Sequence, residues 1–165
     1  KGQARRVAVV SAIAHRPELL VLDDPAGGLD PAARREMLET ALEFLADEGS
    51  AILFSSHHMA DVERIAGRVA LLDRGHMVVD QDLDDLRETT MLLRAPVSSG
   101  LAVADVRGGD GCLAARAAHE EIRALLRGTE AEVTQRLEPL QNGTPLHVAP
   151  LTLEDLFIEF VEGRR

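Results

Sequence analysis

The sequence has no tryptophan, no tyrosine and only four phenylalanines among 165 residues, so any core it builds is aliphatic. Its single cysteine, Cys112, excludes an internal disulfide and a cysteine-rich metal site, and fits a reducing compartment. Basic residues are outnumbered: 18 Lys and Arg against 28 Asp and Glu give 18 − 28 = −10. That balance argues against a surface built to hold nucleic acid phosphates, while leaving room for a local anion site made of backbone N–H groups. No apolar run approaches the roughly 20 residues that span a bilayer, so a membrane link would run through a partner. No stretch of these residues reads as a signal peptide. The chain opens at Lys1 without Met and enters a helical pattern at once, which reads as the C-terminal piece of something longer.

What is present suffices for one domain with a core, or one with a small appendage. At 45% hydrophobic residues the chain is not a disordered acidic tail. From Gln3 to His15, Val7, Val10, Ile13 and Ala14 recur at helical spacing, and Pro17 closes the helix. "LLVLD" (Leu19–Asp23) is a short continuous apolar run, as in a strand buried on both faces. Asp30-Pro31 reads as N-cap and first helical residue. The helix should run to about Glu48, with Leu38, Ala41, Leu42 and Leu45 buried and Gly49 ending it. "AILFS" (Ala51–Ser55) is a second buried strand, and strand–helix–strand predicts a parallel pair with a right-handed crossover.

A short helix is expected from Met59 to Ala66, with Val62 and Ile65 inward. "RVALLD" and "HMVVD" around Arg74-Gly75 predict a hairpin, and "DLDDLRE" a short exposed helix. Beyond Glu88 the pattern weakens, which sets a soft boundary near residue 88. Met91–Arg94, Leu101–Val106 and Leu146–Val148 read as strands and Leu113–Leu126 as an amphipathic helix. Gly108, Gly109 and Gly111 read as a loop, and Thr152 caps a last helix carrying Leu156, Phe157, Phe160 and Val161.

In open parallel sheets ligands sit beyond the carboxyl ends of the strands. Asp23 and Asp24 lie there on the first strand, Ser56 and His57 just beyond the second. On spacing alone, a plain strand-ending Asp23 and a turn-forming Asp24 before Pro25 remain open readings.

Four pieces occur in one order: "KGQARRV", "LLVLDDP", "GGLDP" and "ILFSSHH". Together they resemble the second half of an ATP-binding cassette (ABC) ATPase. The order of pieces is that of a signature ending in G-Q, a Walker B strand, an x-G-L-D loop and a switch histidine. The resemblance covers residues 1–80 and returns at "LTLEDLFIEFV" (Leu151–Val161), similar to the ending of prokaryotic export-type cassettes. It implies a partial P-loop NTPase α/β fold, a parallel sheet with flanking helices, over residues 1–88. A small C-terminal α/β appendage would occupy residues 89–165.

The resemblance also implies roles. Asp23 holds Mg²⁺, commonly through water. Asp24 stands where the family usually has Glu, the residue that polarises the attacking water. His57 contacts the γ-phosphate, with His58 its solvent-facing neighbour. Lys1, Gly2 and Gln3 read the ATP held by an opposite subunit, with Lys1 at a position more often Gly, and a helix N-terminus suits that task. Gly28, Leu29 and Asp30 cross the dimer interface.

ATP and Mg²⁺ are the implied cofactors. A transmembrane permease subunit and a second nucleotide-binding domain are the implied partners, with no nucleic acid, at the cytoplasmic face of the cell membrane. Asp24 is one methylene shorter than Glu, about 1.5 Å of reach, which keeps a non-hydrolysing regulatory cassette as an alternative. Translation-type cassettes read N-H-L-D where this chain has "GGLD", and chromosome-type ones carry long coiled-coil insertions; neither pattern fits. No G-x-x-x-x-G-K-S/T occurs, so these residues alone are not expected to bind ATP tightly or to hydrolyse it.

Overall fold

The computed structural model describes residues 2–46, 50–140 and 146–163, with backbone alone at Gly2, Gln3, Arg5, Arg6, Leu45, Glu162 and Gly163. The protein is mixed α/β and forms two compact units, 1–65 and 66–165. Residue 88, the expected soft boundary, lies inside the second unit.

The first unit runs α1 (Gly2–Ile13), β1 (Leu19–Leu22), α2 (Pro31–Leu45), β2 (Ala51–Phe54) and α3 (Met59–Ile65). β1 and β2 are parallel, in register from Leu19 opposite Ala51 to Leu22 opposite Phe54, as the strand–helix–strand pattern predicts. Asp30 caps α2, its carboxylate accepting from the N–H groups of Ala32 and Ala33 at 3.1 and 3.0 Å, with Pro31 at the first helical position. Gly49, expected to end this helix, lies outside the described residues. On α2, Leu38 and Ala41 are buried as expected, Leu42 is partly exposed, and Met37 and Phe44 complete the buried face. α1 buries Val9 against Leu29, Ala33 and Met37, with Ile13 beside them; Val7 and Val10 face outward, so the inward stripe is turned from the one expected.

The expectation that both strands are buried on both faces is corrected. Side chains alternate along a strand. Leu22, Ile52 and Phe54 share one apolar cavity wall with Met37, Leu38 and Ile65. Their alternates stand open: Leu19, Val21 and Leu53 are 55%, 64% and 63% exposed. An apolar sheet face of this kind drives association. The isolated chain is therefore expected to elute from size exclusion as dimers or larger species, shifting toward monomer in the double variant Val21→Thr/Leu53→Thr. A sharp native monomer at high concentration would contradict this.

The second unit opens with the expected hairpin, β3 (Arg68–Asp73) and β4 (His76–Asp82). Arg74 and Gly75 both take positive φ (49° and 81°), which a two-residue turn between twisted strands needs. α4 (Leu83–Thr89) follows, capped by Asp82; its Leu83 and Leu86 are buried, so it is not the exposed helix expected. Then come β5 (Thr90–Pro96), α5 (Val103–Arg107), β6 (Cys112–Ala118), β7 (Glu121–Arg127), α6 (Glu130–Leu137), β8 (His147–Pro150) and α7 (Leu153–Gly163). The strand order is β6-β7-β5-β8, all neighbours antiparallel. That is the ferredoxin-like split βαβ arrangement, with α7 added.

Two expectations fail here. Leu113–Leu126 is a hairpin, turning at His119 (φ 57°), not a helix. Its alanines favour helix, but pairing wins: Ala115, Ile122, Ala124 and Leu126 join a core with Met91, Leu93, Val106, Val133 and Leu137. Ala114 and Leu125 are buried on the other face, which removes the alternation that marks a strand. Leu101–Val106 holds the helix α5 rather than a strand, with Arg107 bonding Ala115 O at 3.0 and 2.7 Å. α6 was not anticipated, although Thr129 and Glu132 form a capping box: Glu132 accepts from Thr129 N–H at 2.8 Å, which holds its carboxyl below the usual range.

The face of the sheet under α7 carries charge. Arg94, Arg123 and Arg116 stand directly opposite one another across β5, β7 and β6. Like charges so placed repel, and α7 supplies the counter-charge one turn apart. Glu159, 1% exposed, takes Arg116 in a fork at 2.6 and 3.1 Å and lies 2.9 Å from Arg123 Nε. Asp155 accepts from Arg123 at 2.7 Å and from Arg94 at 3.2 Å. Thr152 accepts from Asp155 N–H at 3.1 Å, the helix start read from the sequence. Leu156 and Phe160 complete the seat, while Phe157 is partly exposed.

Candidate functional site

Two chain ends meet where β1 and β2 finish side by side. Ser55 N–H donates to Leu22 O at 2.9 Å, extending the parallel ladder by one residue past β2. This sets Ser55 beside the Asp23-Asp24 pair that ends β1. The Ser55 hydroxyl donates to Asp23 Oδ1 at 2.5 Å and accepts from Asp24 N–H at 2.8 Å. Asp23 is exposed.

Asp24 bends the chain sharply, with φ 41°. A non-glycine residue there is strained by about 1–2 kcal/mol, and Asp tolerates it better than most. Its carboxylate turns over Gly27. A Cβ added to Gly27 would sit 1.9 Å from Asp24 Oδ2, so a side chain there would displace the Asp24 carboxylate. Asp24 Oδ1 lies 3.2 Å from His57 Nδ1, within ion-pair reach but without hydrogen-bond alignment. It is a buried oxygen with no hydrogen bond among the described residues, a state that costs roughly 1–3 kcal/mol until a donor arrives.

His57 presents its ring to solvent, 64% exposed. His58, expected to be the solvent-facing neighbour, is instead half-buried. Its Nε2 accepts from Arg34 Nη2 of α2 at 2.9 Å, because a guanidinium can only donate. Arg34 Nε also approaches buried Asp61 of α3 at 3.8 Å. His58 N–H donates to Ser56 Oγ at 3.0 Å. The segment carrying His57 is thus tied to two helices through His58.

Of the other expected site residues, Lys1 lies outside the described residues. Gly2 and Gln3 open α1, and their side chains are not described. Gly28 is exposed at φ 70°, Leu29 is buried in the α1–α2 cluster, and Asp30 caps α2. Asp23, Asp24 and His57 therefore converge, joined by Ser55 and Gly27, which the sequence reading did not single out. Ser55 carried a signal there, as the first polar residue after an apolar run.

Among the described residues no group of three or more His, Cys, Asp or Glu could hold a metal unaided. Mg²⁺ does not require one: it keeps several waters and takes one or two carboxylates together with substrate phosphates. An exposed Asp23 with one oxygen anchored by Ser55 fits that donor set. No described helix is long and apolar enough to cross a membrane.

No protein-family model matches the chain. It is 28% identical over 165 residues to the uncharacterized ABC transporter ATP-binding protein YhaQ of Bacillus subtilis, covering 98% of this chain and 54% of that one. It is 32% identical over 131 residues to the energy-coupling factor transporter ATP-binding protein EcfA2 of Latilactobacillus sakei, covering 76% and 45%. The linearmycin resistance ATP-binding protein LnrL of Bacillus subtilis is 36% identical over 85 residues, covering 52% and 27%. A solved inward-facing ABC transporter of metal-chelate type overlays 79% of this chain and 48% of its own at 16% identity and a TM-score of 0.48. The chain spans about half the length of the curated relatives it matches from end to end. All of these relatives are named ATP-binding proteins, and those matched from end to end are named ABC transporter ATP-binding proteins.

Proposed function

We propose that these 165 residues are the C-terminal part of the ATP-binding subunit of an ABC transporter of export type. The whole protein couples ATP binding and hydrolysis to export through a separate membrane permease. It works at the cytoplasmic face of the membrane, paired with a second nucleotide-binding domain. The observation that carries this is the meeting of Asp23, Asp24 and His57 at the ends of adjacent parallel strands. The order of the four motifs and the names of the relatives support the class. "Linearmycin resistance" in one relative's name is in keeping with export, whereas the energy-coupling factor relatives leave the direction of transport to experiment.

When bound, Mg²⁺ supplies a counter-charge for the phosphates. Asp23 would hold it, directly or through water, with Oδ1 fixed by Ser55. Asp24 would take the proton of the attacking water through Oδ1, the buried oxygen that lacks a hydrogen bond. His57, exposed beside it, would donate to a terminal phosphate oxygen. Gly2, Gln3 and Lys1 would meet the nucleotide of the paired domain, and Gly28, Leu29 and Asp30 would line the contact between domains. Leu29 can do so only through its backbone while its side chain is buried.

Asp24 also supports a second proposal, a non-hydrolysing regulatory cassette. It is shorter than Glu, and a misplacement of about 1 Å can slow a reaction on the order of 10²-fold.

Calorimetry tests the division of labour. The 165-residue chain is expected to show no micromolar ATP binding with Mg²⁺ present, because it has no phosphate-cradling glycine-rich loop. The full-length protein is expected to bind ATP and hydrolyse it. Micromolar binding by the chain alone, or none by the full-length protein, would overturn the proposal.

A further inference from the structure

We infer that Ser55 is a positioning residue that sets both carboxylates of the site with one hydroxyl. The inference rests on the functional reading above and adds a residue to it.

A serine hydroxyl has one proton to give. Asp24 N–H already points at Ser55 Oγ, at 2.8 Å, so the Ser55 proton is committed to Asp23 Oδ1, at 2.5 Å. The chain of donation therefore has one sense only: Asp24 N–H to Ser55 Oγ–H to Asp23 Oδ1. Its second link has the length of a charge-assisted O–H···O⁻ bond, and each link polarises the next.

This has two consequences. Asp23 cannot rotate freely: one oxygen is held, and the other is left for a cation or its water. Asp24 is held by its backbone rather than by its side chain, in the left-handed conformation that swings the carboxylate over Gly27 toward His57. A shorter side chain is thus re-aimed by a backbone turn, and Ser55 is the group across the strand gap that holds the turn. Ser55 is in turn held by its own N–H bond to Leu22 O. Groups that orient metal ligands in this way typically change metal affinity by about 10–100-fold.

The test uses the full-length protein with Ser55→Ala and Ser55→Thr. Two readouts are taken: amide hydrogen exchange across residues 22–28 without nucleotide, and Mn²⁺ binding with a non-hydrolysable ATP analogue by electron paramagnetic resonance. In Ser55→Ala, Asp24 amide protection is expected to fall and Mn²⁺ binding to weaken about 10–100-fold. Affinity for the analogue without metal should not change. Ser55→Thr keeps the hydroxyl and is expected to restore both. If native protein binds the Mn²⁺ complex and Ser55→Ala binds it equally well, the inference is overturned and the functional reading stands. If native protein binds no Mn²⁺ complex, the functional reading falls and takes the inference with it.

Discussion

Glu159→Gln is expected to destabilise the unit 66–165 by roughly 3–5 kcal/mol, the usual cost of removing one partner from a buried ion pair. The substitution keeps shape and volume and removes only charge. Glu159 is 1% exposed and faces both Arg116 and Arg123, with Arg94 in the same cross-strand row. Without that carboxylate, Arg116 loses its forked partner, and Arg123 and Arg94 keep only Asp155 among the contacts described for them. Chemical denaturation followed by far-ultraviolet circular dichroism measures the loss, since the chain has no Trp or Tyr to report by fluorescence. The midpoint should fall with little change in slope. Arg68→Ala is the control. It breaks a similarly short contact, 2.7 Å to Asp80, but one between exposed side chains, and should change the midpoint far less. Equal effects from the two would show that solvent screens the row under α7.

Asp24→Asn in the full-length protein is expected to lower kcat for ATP hydrolysis by roughly 10²–10⁴-fold, the usual range for losing a general base. KM should hardly move, because the carboxylate acts on water rather than on the bound nucleotide. The backbone clamp from Ser55 is retained, since Asp24 N–H is untouched. Steady-state kinetics with permease present would check it. A rise in KM with kcat intact would mean that Asp24 binds nucleotide instead.

The parts of this site that could be read from sequence are those whose signal is local. The parallel pair followed from two short apolar runs either side of an Asp-Pro helix start, and Asp23, Asp24 and His57 from their places at the strand ends. Ser55 acts on Asp23 and Asp24 from 32 and 31 residues away, and Gly27 makes room for the Asp24 carboxylate by having no Cβ. Ser55 shows locally only as the first polar residue after an apolar run; its pairing with the two carboxylates leaves no local pattern. The roles of His57 and His58 could not be divided until Arg34 was placed beside His58.

Residues 113–126 misled for a related reason. Alanine favours helix locally, and a strand covered on both faces shows no alternation to set against it. The arginine row under α7 exists only once strand register brings Arg94, Arg123 and Arg116 together. The capping box before α6 was a local signal that could have been read, although the βαββαβ order also needed α5 and the hairpin at 113–126.

Single-turnover hydrolysis of Mg-ATP by the full-length protein, native beside Asp24→Glu, tests most directly whether Asp24 works where it stands. With its short arm already aimed by the left-handed turn over Gly27, native protein is expected to complete the turnover, and Asp24→Glu to be no faster. Native protein that holds ATP unhydrolysed, while Asp24→Glu gains on the order of 10²-fold, would contradict that and mark the site as a regulatory one.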